Sequence, residues 1–217
     1  MNNNDKIINS IYKLVNTYRN KSFYCSNQCI LRNTKHIFFD IVGDYNKCKV
    51  IFIGINPGKD EVIKGKPFVG ASGKILRETC QNIGLNNYII MNCIFGHTLN
   101  TNQSGFKEKW KEVLAKCSLF SKPILFGLNN IKIIVPLGEI PLYFIKLCFD
   151  GFNYEGIRYS KMNNFGIFQC YFGGKYNRYR IISIPHPSYI VRRKKAELQN
   201  YHNYIKIIKN ISDKEVE

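Results

Sequence analysis

No apolar run in this chain of 217 residues approaches the roughly 18 that a membrane-spanning helix requires. The start, Met1-Asn2-Asn3-Asn4-Asp5-Lys6, lacks the apolar core of a secretory signal. Both absences point to a cytoplasmic protein that is not exported and does not enter a membrane. Acidic residues are also few: 15 Asp plus Glu face 32 Lys plus Arg, a formal charge of +17. A field of that sign and size draws polyanions and speeds their encounter. Lys, Asn and Ile are abundant throughout, however, so general composition accounts for part of the excess. No repeat and no linker divides the sequence. One domain over residues 1–217 is expected, with 1–20 as a helical N-terminal extension, 212–217 as a disordered tail, and a monomer as the working unit. The length suffices to bury a sizeable core.

Eight cysteines do not argue for disulfides in a compartment that keeps thiols reduced. Cys48, Cys80, Cys148 and Cys170 sit in or beside apolar stretches with no partner at ligand spacing, and read as small buried hydrophobes. Cys25 and Cys29 stand apart from these and are taken up below.

Four short apolar runs read as strands: residues 50–53, 88–91, 131–135 and 181–184. Helices are expected over 71–83, stopped by Gly84, over 106–126, with Pro123 as a candidate break, over 140–149, with Pro141 in the first turn, and over 195–211. Residues 153–179, rich in Gly and aromatics, read as an irregular hairpin. Strands alternating with helices specify an α/β three-layer sandwich, a central four-stranded parallel sheet flanked by helices. Loops at the carboxyl ends of such strands line the ligand crevice. There the chain places Asn56, Asn92, Gly138 and His186. Three of the four ends thus carry a polar side chain of catalytic type.

The segments around these residues follow a pattern. Gly54-Ile55-Asn56-Pro57-Gly58 closes the first strand, and Gly65-Lys66-Pro67-Phe68-Val69-Gly70 leads into the helix of Ala71-Ser72-Gly73-Lys74. Asn92 ends the next strand, and His186-Pro187-Ser188-Tyr189-Ile190-Val191-Arg192-Arg193 closes the set. In this order and spacing the chain resembles the uracil-DNA glycosylase superfamily, most extensively the iron–sulfur family-four enzymes, from Cys25 to about Ile208. The first motif departs from that family. Family-four loops usually carry Glu second and a small residue third, whereas Asn in third place is similar to the mismatch-specific and single-strand-selective uracil glycosylases.

The resemblance implies a monofunctional DNA glycosylase, which extrudes a base from the stack and hydrolyses its N-glycosidic bond to leave an abasic site. Uracil is the default base, with thymine, a deaminated purine or a modified pyrimidine as alternatives. Asn56 would orient the attacking water, although an amide cannot take its proton. His186 would donate to the base O2 as negative charge builds there. Gly54, Ile55, Phe68 and Asn92 would form the base site, Phe68 by stacking and Asn92 by pairing with a pyrimidine edge. Gly58 and Ser188 would grip phosphates of duplex or single-stranded DNA. Tyr189, Ile190 or Val191 would wedge into the vacated stack, and Arg192 and Arg193 would hold the backbone. Each residue alone has a plainer reading: Asn56 as a turn residue, Phe68 as core, His186 as a loop histidine, Asn92 as a cap. Together, in motif order, they favour function. His36, His97 and His202 stand outside the catalytic motifs.

Family four also implies a four-iron, four-sulfur cluster on four cysteines. Cys25 and Cys29 match the first pair with one extra residue between them, and Cys117 matches the fourth ligand. The third should fall at Gly96. Cys93 and His97 flank that place, and ligand softness favours Cys93. Zinc on the same residues, or a lost cluster whose cysteines remain as packing, are the alternatives. Outside catalysis, the rival is a noncatalytic DNA-binding or accessory protein on the same fold. Retention of Asn56, Phe68, Asn92 and His186 together argues against it.

Overall fold

The computed structural model describes residues 2–22, 25, 28–31, 33–97, 106–149, 179–191 and 195–214. Its centre is a sheet of β1 (Phe39–Val42), β2 (Val50–Gly54), β3 (Tyr88–Asn92), β4 (Ile133–Pro136) and β5 (Arg180–Ile181), in the order β1-β3-β2-β4-β5. The parallel strands are β3, β2, β4 and β5, as the apolar runs specify. The sequence reading lacked β1, which pairs antiparallel with β3 at the edge. The reason is Asp40, a buried carboxylate in the middle of that short strand, which interrupts the apolar pattern.

Strands buried on both faces read as continuous apolar runs, and alternation then sorts their side chains into two layers. Ile51, Ile53, Ile89, Met91 and Ile134 face one core, covered by α1 (Asn3–Lys21), α4 (Phe106–Gly127) and α5 (Glu139–Cys148). Val50, Phe52, Tyr88, Ile90 and Val135 face the other. That second core is closed by α3 (Ala71–Asn82), by the single turn α6 (Ser188–Val191) and by α7 (Lys195–Lys214). A short α2 (Lys59–Lys64) follows the first strand-end loop. Each fully buried aliphatic or aromatic side chain is worth roughly 1.5–3 kcal/mol, so both faces need their helical cover.

Three boundaries differ from the sequence reading. The first helix is part of the core: Val15 is buried, and the Tyr12 hydroxyl accepts from the Phe38 and Phe39 amides at 3.1 and 3.3 Å. Residues 212–214, expected in a tail, continue α7, and Ser212 is buried. Pro123 does not end α4. It has no N–H for the Leu119 carbonyl, but Leu119 is exposed, so water can take that place. The expected hairpin over 153–178 lies outside the described residues.

Candidate active site

The strand ends converge. Gly54 and Asn92 are register partners on adjacent parallel strands. Beyond them the Cys93 and Ile94 amides donate to the carbonyls of Gly54 and Ile55 at 3.0 and 2.8 Å, zipping the two loops together. A Cβ on Gly54 would overlap both the Phe68 ring and Asn92 Oδ1, so glycine is what lets the ring lie against this strand end. The Phe68 ring centroid is 5.7 Å from that of His186 at an interplanar angle of 47°. Gly138, at the end of β4, donates to Ile184 at 2.8 Å and lies beside the His186 Cβ. Gly54, Phe68, Asn92 and His186 are therefore brought to one place.

Phe68 is held there against its backbone preference. Its φ of 55° lies in the left-handed region, which costs a bulky residue of order 1–3 kcal/mol. Arg77 supplies the clamp. Its Nε donates to the Phe68 carbonyl at 2.8 Å, and Nη2 donates to the Pro67 carbonyl and to Asp40 Oδ2, each at 2.8 Å. Gly73 leaves room for the Phe68 main chain, which a Cβ would overlap. Glu61 ties the neighbouring loops, accepting from the Gly58 amide at 2.9 Å and from the Val69 and Gly70 amides at 3.0 and 3.1 Å. The sequence reading missed all three. A signal for Glu61 existed, since Glu at the third helical position after a capping Gly58 is the capping-box spacing.

Hydrogen bonds fix which atom each polar group presents. The Ser188 backbone N–H donates to His186 Nδ1 at 3.1 Å, and the Ser188 hydroxyl lies 2.9 Å from the same nitrogen. A backbone amide can only donate, so Nδ1 accepts and the neutral ring carries its proton on Nε2. Asn92 Nδ2 donates to the Ile37 carbonyl at 3.2 Å, which fixes the amide orientation. Asn92 Oδ1 is buried and meets no donor among the described residues. Asn56 Nδ2 donates to the Pro57 carbonyl at 3.1 Å.

Five expected roles change. Ile190 is buried in the second core and cannot wedge into DNA; the exposed apolar residue of that turn is Val191, 49% accessible. Tyr189 packs partly against the same core. The Gly58 amide is taken by Glu61, and a carboxylate at that point opposes a phosphate. Ser188 serves the His186 ring. The Ile55 side chain packs on the first core. Arg192 and Arg193 lie outside the described residues.

The cysteines are neighbours without forming a cage. Burial pushes the Cys117 thiol up to about 12, and the nearby Cys29 and Cys25 add to that rise. Burial likewise holds Cys93 well above the usual thiol range, with Cys117 beside it, while its Sγ lies 3.5 Å from the Ile55 carbonyl. Gly96 packs against Leu31 and Thr34, where a Cβ would overlap. His97, the other candidate third ligand, turns its Nδ1 to the Pro57 carbonyl at 2.8 Å. Among the described residues, no three His, Cys, Asp or Glu side chains stand close enough to hold a metal ion. No helix there is long and apolar enough to cross a membrane.

A mostly parallel sheet thus brings an aromatic ring, a buried amide oxygen with no donor among the described residues and an Nε2-protonated histidine together at its strand ends. The chain belongs to the uracil DNA glycosylase superfamily, whose sequence model matches residues 42–210. It is similar to the type-4 uracil-DNA glycosylase of Archaeoglobus fulgidus, 28% identical over 180 residues that cover 83% of this chain and 85% of that protein. The type-4 enzyme of Thermotoga maritima is 28% identical over 160 residues, 73% of this chain and 75% of its own.

Proposed function

We propose that the protein is a monofunctional uracil-DNA glycosylase, working as an intracellular monomer with DNA as its partner. The observation that carries this reading is Asn92 Oδ1, a buried acceptor with no donor among the described residues. Burying an amide oxygen unpaired costs about 1–3 kcal/mol, and the N3–H of uracil would satisfy it. Cytosine would present a lone pair there instead. Phe68 offers a face for the ring, and His186 Nε2–H is positioned to donate to O2 as the C1′–N1 bond breaks and charge collects on the leaving base. Asn56 orients the water. Both relatives are named for the same reaction. The test is purified protein on single-stranded and duplex oligonucleotides carrying uracil, thymine mismatches, deaminated purines and modified pyrimidines. Alkali-labile sites at uracil are expected, and binding without release of any base would leave only the accessory-protein reading.

Val191 is the wedge in this reading, because a group that enters the stack must be exposed. Extrusion costs a few kcal/mol from a duplex and less from a single strand. Val191→Ala is therefore expected to lose several-fold more activity on paired than on unpaired uracil. Equal losses on the two substrates would remove Val191 from that role.

Cys25, Cys29, Cys93 and Cys117 are the proposed ligands of an iron–sulfur cluster. Support comes from the mutual proximity of Cys117 with Cys25, Cys29 and Cys93. As placed, these thiols do not enclose a metal, so no step of the reaction is routed through one. Ligation requires thiolates, so loading would release protons, including those that burial keeps on Cys93 and Cys117. Anaerobically purified protein is expected to carry about four irons, the content of one such cluster, and Cys117→Ser to lower that content. Metal analysis finding neither iron nor zinc would leave the cysteines as packing residues.

A further inference from the structure

We propose that His97 is the proton acceptor of the hydrolysis, filling the place that a carboxylate-free Gly-Ile-Asn-Pro-Gly loop leaves open. This rests on the glycosylase reading above. His97 Nδ1 and Asn56 Nδ2 meet at one atom, the Pro57 carbonyl oxygen, at 2.8 and 3.1 Å, so the imidazole stands beside the amide that orients water. A carbonyl only accepts. Nδ1 therefore carries the proton, and the neutral ring presents a bare Nε2 lone pair, which no group among the described residues engages. His186 is the opposite tautomer, with Nδ1 accepting and Nε2 protonated. The two imidazoles thus have opposite tautomers, and the proposal gives them opposite tasks, His186 as donor and His97 as acceptor.

The balance is closed. The C1′–N1 bond breaks with its electron pair leaving on the base, whose O2 is held by His186 Nε2–H. The water oxygen bonds to C1′, and its proton passes to His97 Nε2. The resulting imidazolium gives that proton up to the departed uracil anion. The ionisable groups on the surrounding elements are Lys35, His36, Lys59, Asp60, Glu61 and Cys93. Glu61 is occupied by three backbone amides, Lys35 donates to the Val62 carbonyl, and Cys93 lies against Ile55.

Single-turnover release of uracil from duplex DNA tests this with two variants. Asn keeps an N–H donor where His97 Nδ1 stands and so retains the Pro57 bond, but it has no basic nitrogen. His97→Asn and His97→Ala should each be slower by about 100-fold or more, the lower end for a general base. Affinity for DNA carrying a noncleavable abasic analogue should stay within threefold. A His97→Asn rate close to wild type, or a His97→Asn variant much faster than His97→Ala, would overturn the proposal and make His97 a prop for the Pro57 loop. Wild-type protein that releases no uracil would overturn the glycosylase reading as well.

Discussion

Replacing His186 by Ala should slow uracil release by about 10²–10³-fold, the 2.7–4 kcal/mol that one preorganised donor to a developing oxyanion supplies. The expectation follows from the tautomer. Because the Ser188 amide holds Nδ1, the Nε2 proton is in place before the bond breaks, and the ring need not reorient as charge appears. Ser188→Ala keeps that backbone amide, so it should lose no more than several-fold. The paired result, a large loss at 186 and a small one at 188, is read from single-turnover rates at saturating enzyme. A His186→Ala variant within threefold of wild type would remove the donor from the mechanism.

The second large effect is on base choice. A site built around hydrogen-bonding a substrate N–H rejects an analogue lacking it by about 10⁴–10⁵-fold. In the proposed reading Asn92 Oδ1 is such a site, with its amide oriented by the Ile37 carbonyl. DNA carrying N3-methyluracil should therefore be cleaved at least about 10⁴-fold more slowly than uracil DNA. In Asn92→Ala the uracil rate should fall and the discrimination should shrink toward what stacking and shape provide. If wild type cleaved the two substrates at comparable rates, Oδ1 would not be the reader of the base.

Much of this site is legible in the sequence because it depends on local chemistry. Apolar runs of four or five residues ending in Asn, Gly or a His-Pro turn mark parallel strands and what they carry at their tips. Asn56, Asn92 and His186 follow from that alone, whereas Phe68 came only with the motif resemblance. What escaped was long-range or polar within the core. Asp40 sits in β1 because Arg77, 37 residues on, neutralises it, and no local pattern reports such a pairing. The exposed member of the turn after His186 could not be read either, since Tyr189, Ile190 and Val191 are all apolar. Only the packing of that turn against α7 decides which of them the core takes. His97 was weighed only as a cluster ligand, because its partner, a main-chain carbonyl, leaves no mark in the side-chain sequence.

The clamp on Phe68 makes the reaction dependent on the far rim of the sheet. The links run from the Tyr12 hydroxyl in α1 to the start of β1, from Asp40 in that strand to Arg77, and from Arg77 to the Phe68 carbonyl. A strand paired on one side only belongs among the first segments to open in a folded protein. When β1 lifts, the stacking ring loses the contacts that hold it in a costly conformation, while the interior strands are still joined. On warming, then, turnover should cease a few degrees before the sheet melts, with DNA still held by the positive charge of the intact body. The fold carries its own cut-out: an enzyme that scans genetic material loses the ability to remove bases at the first sign of its own unravelling.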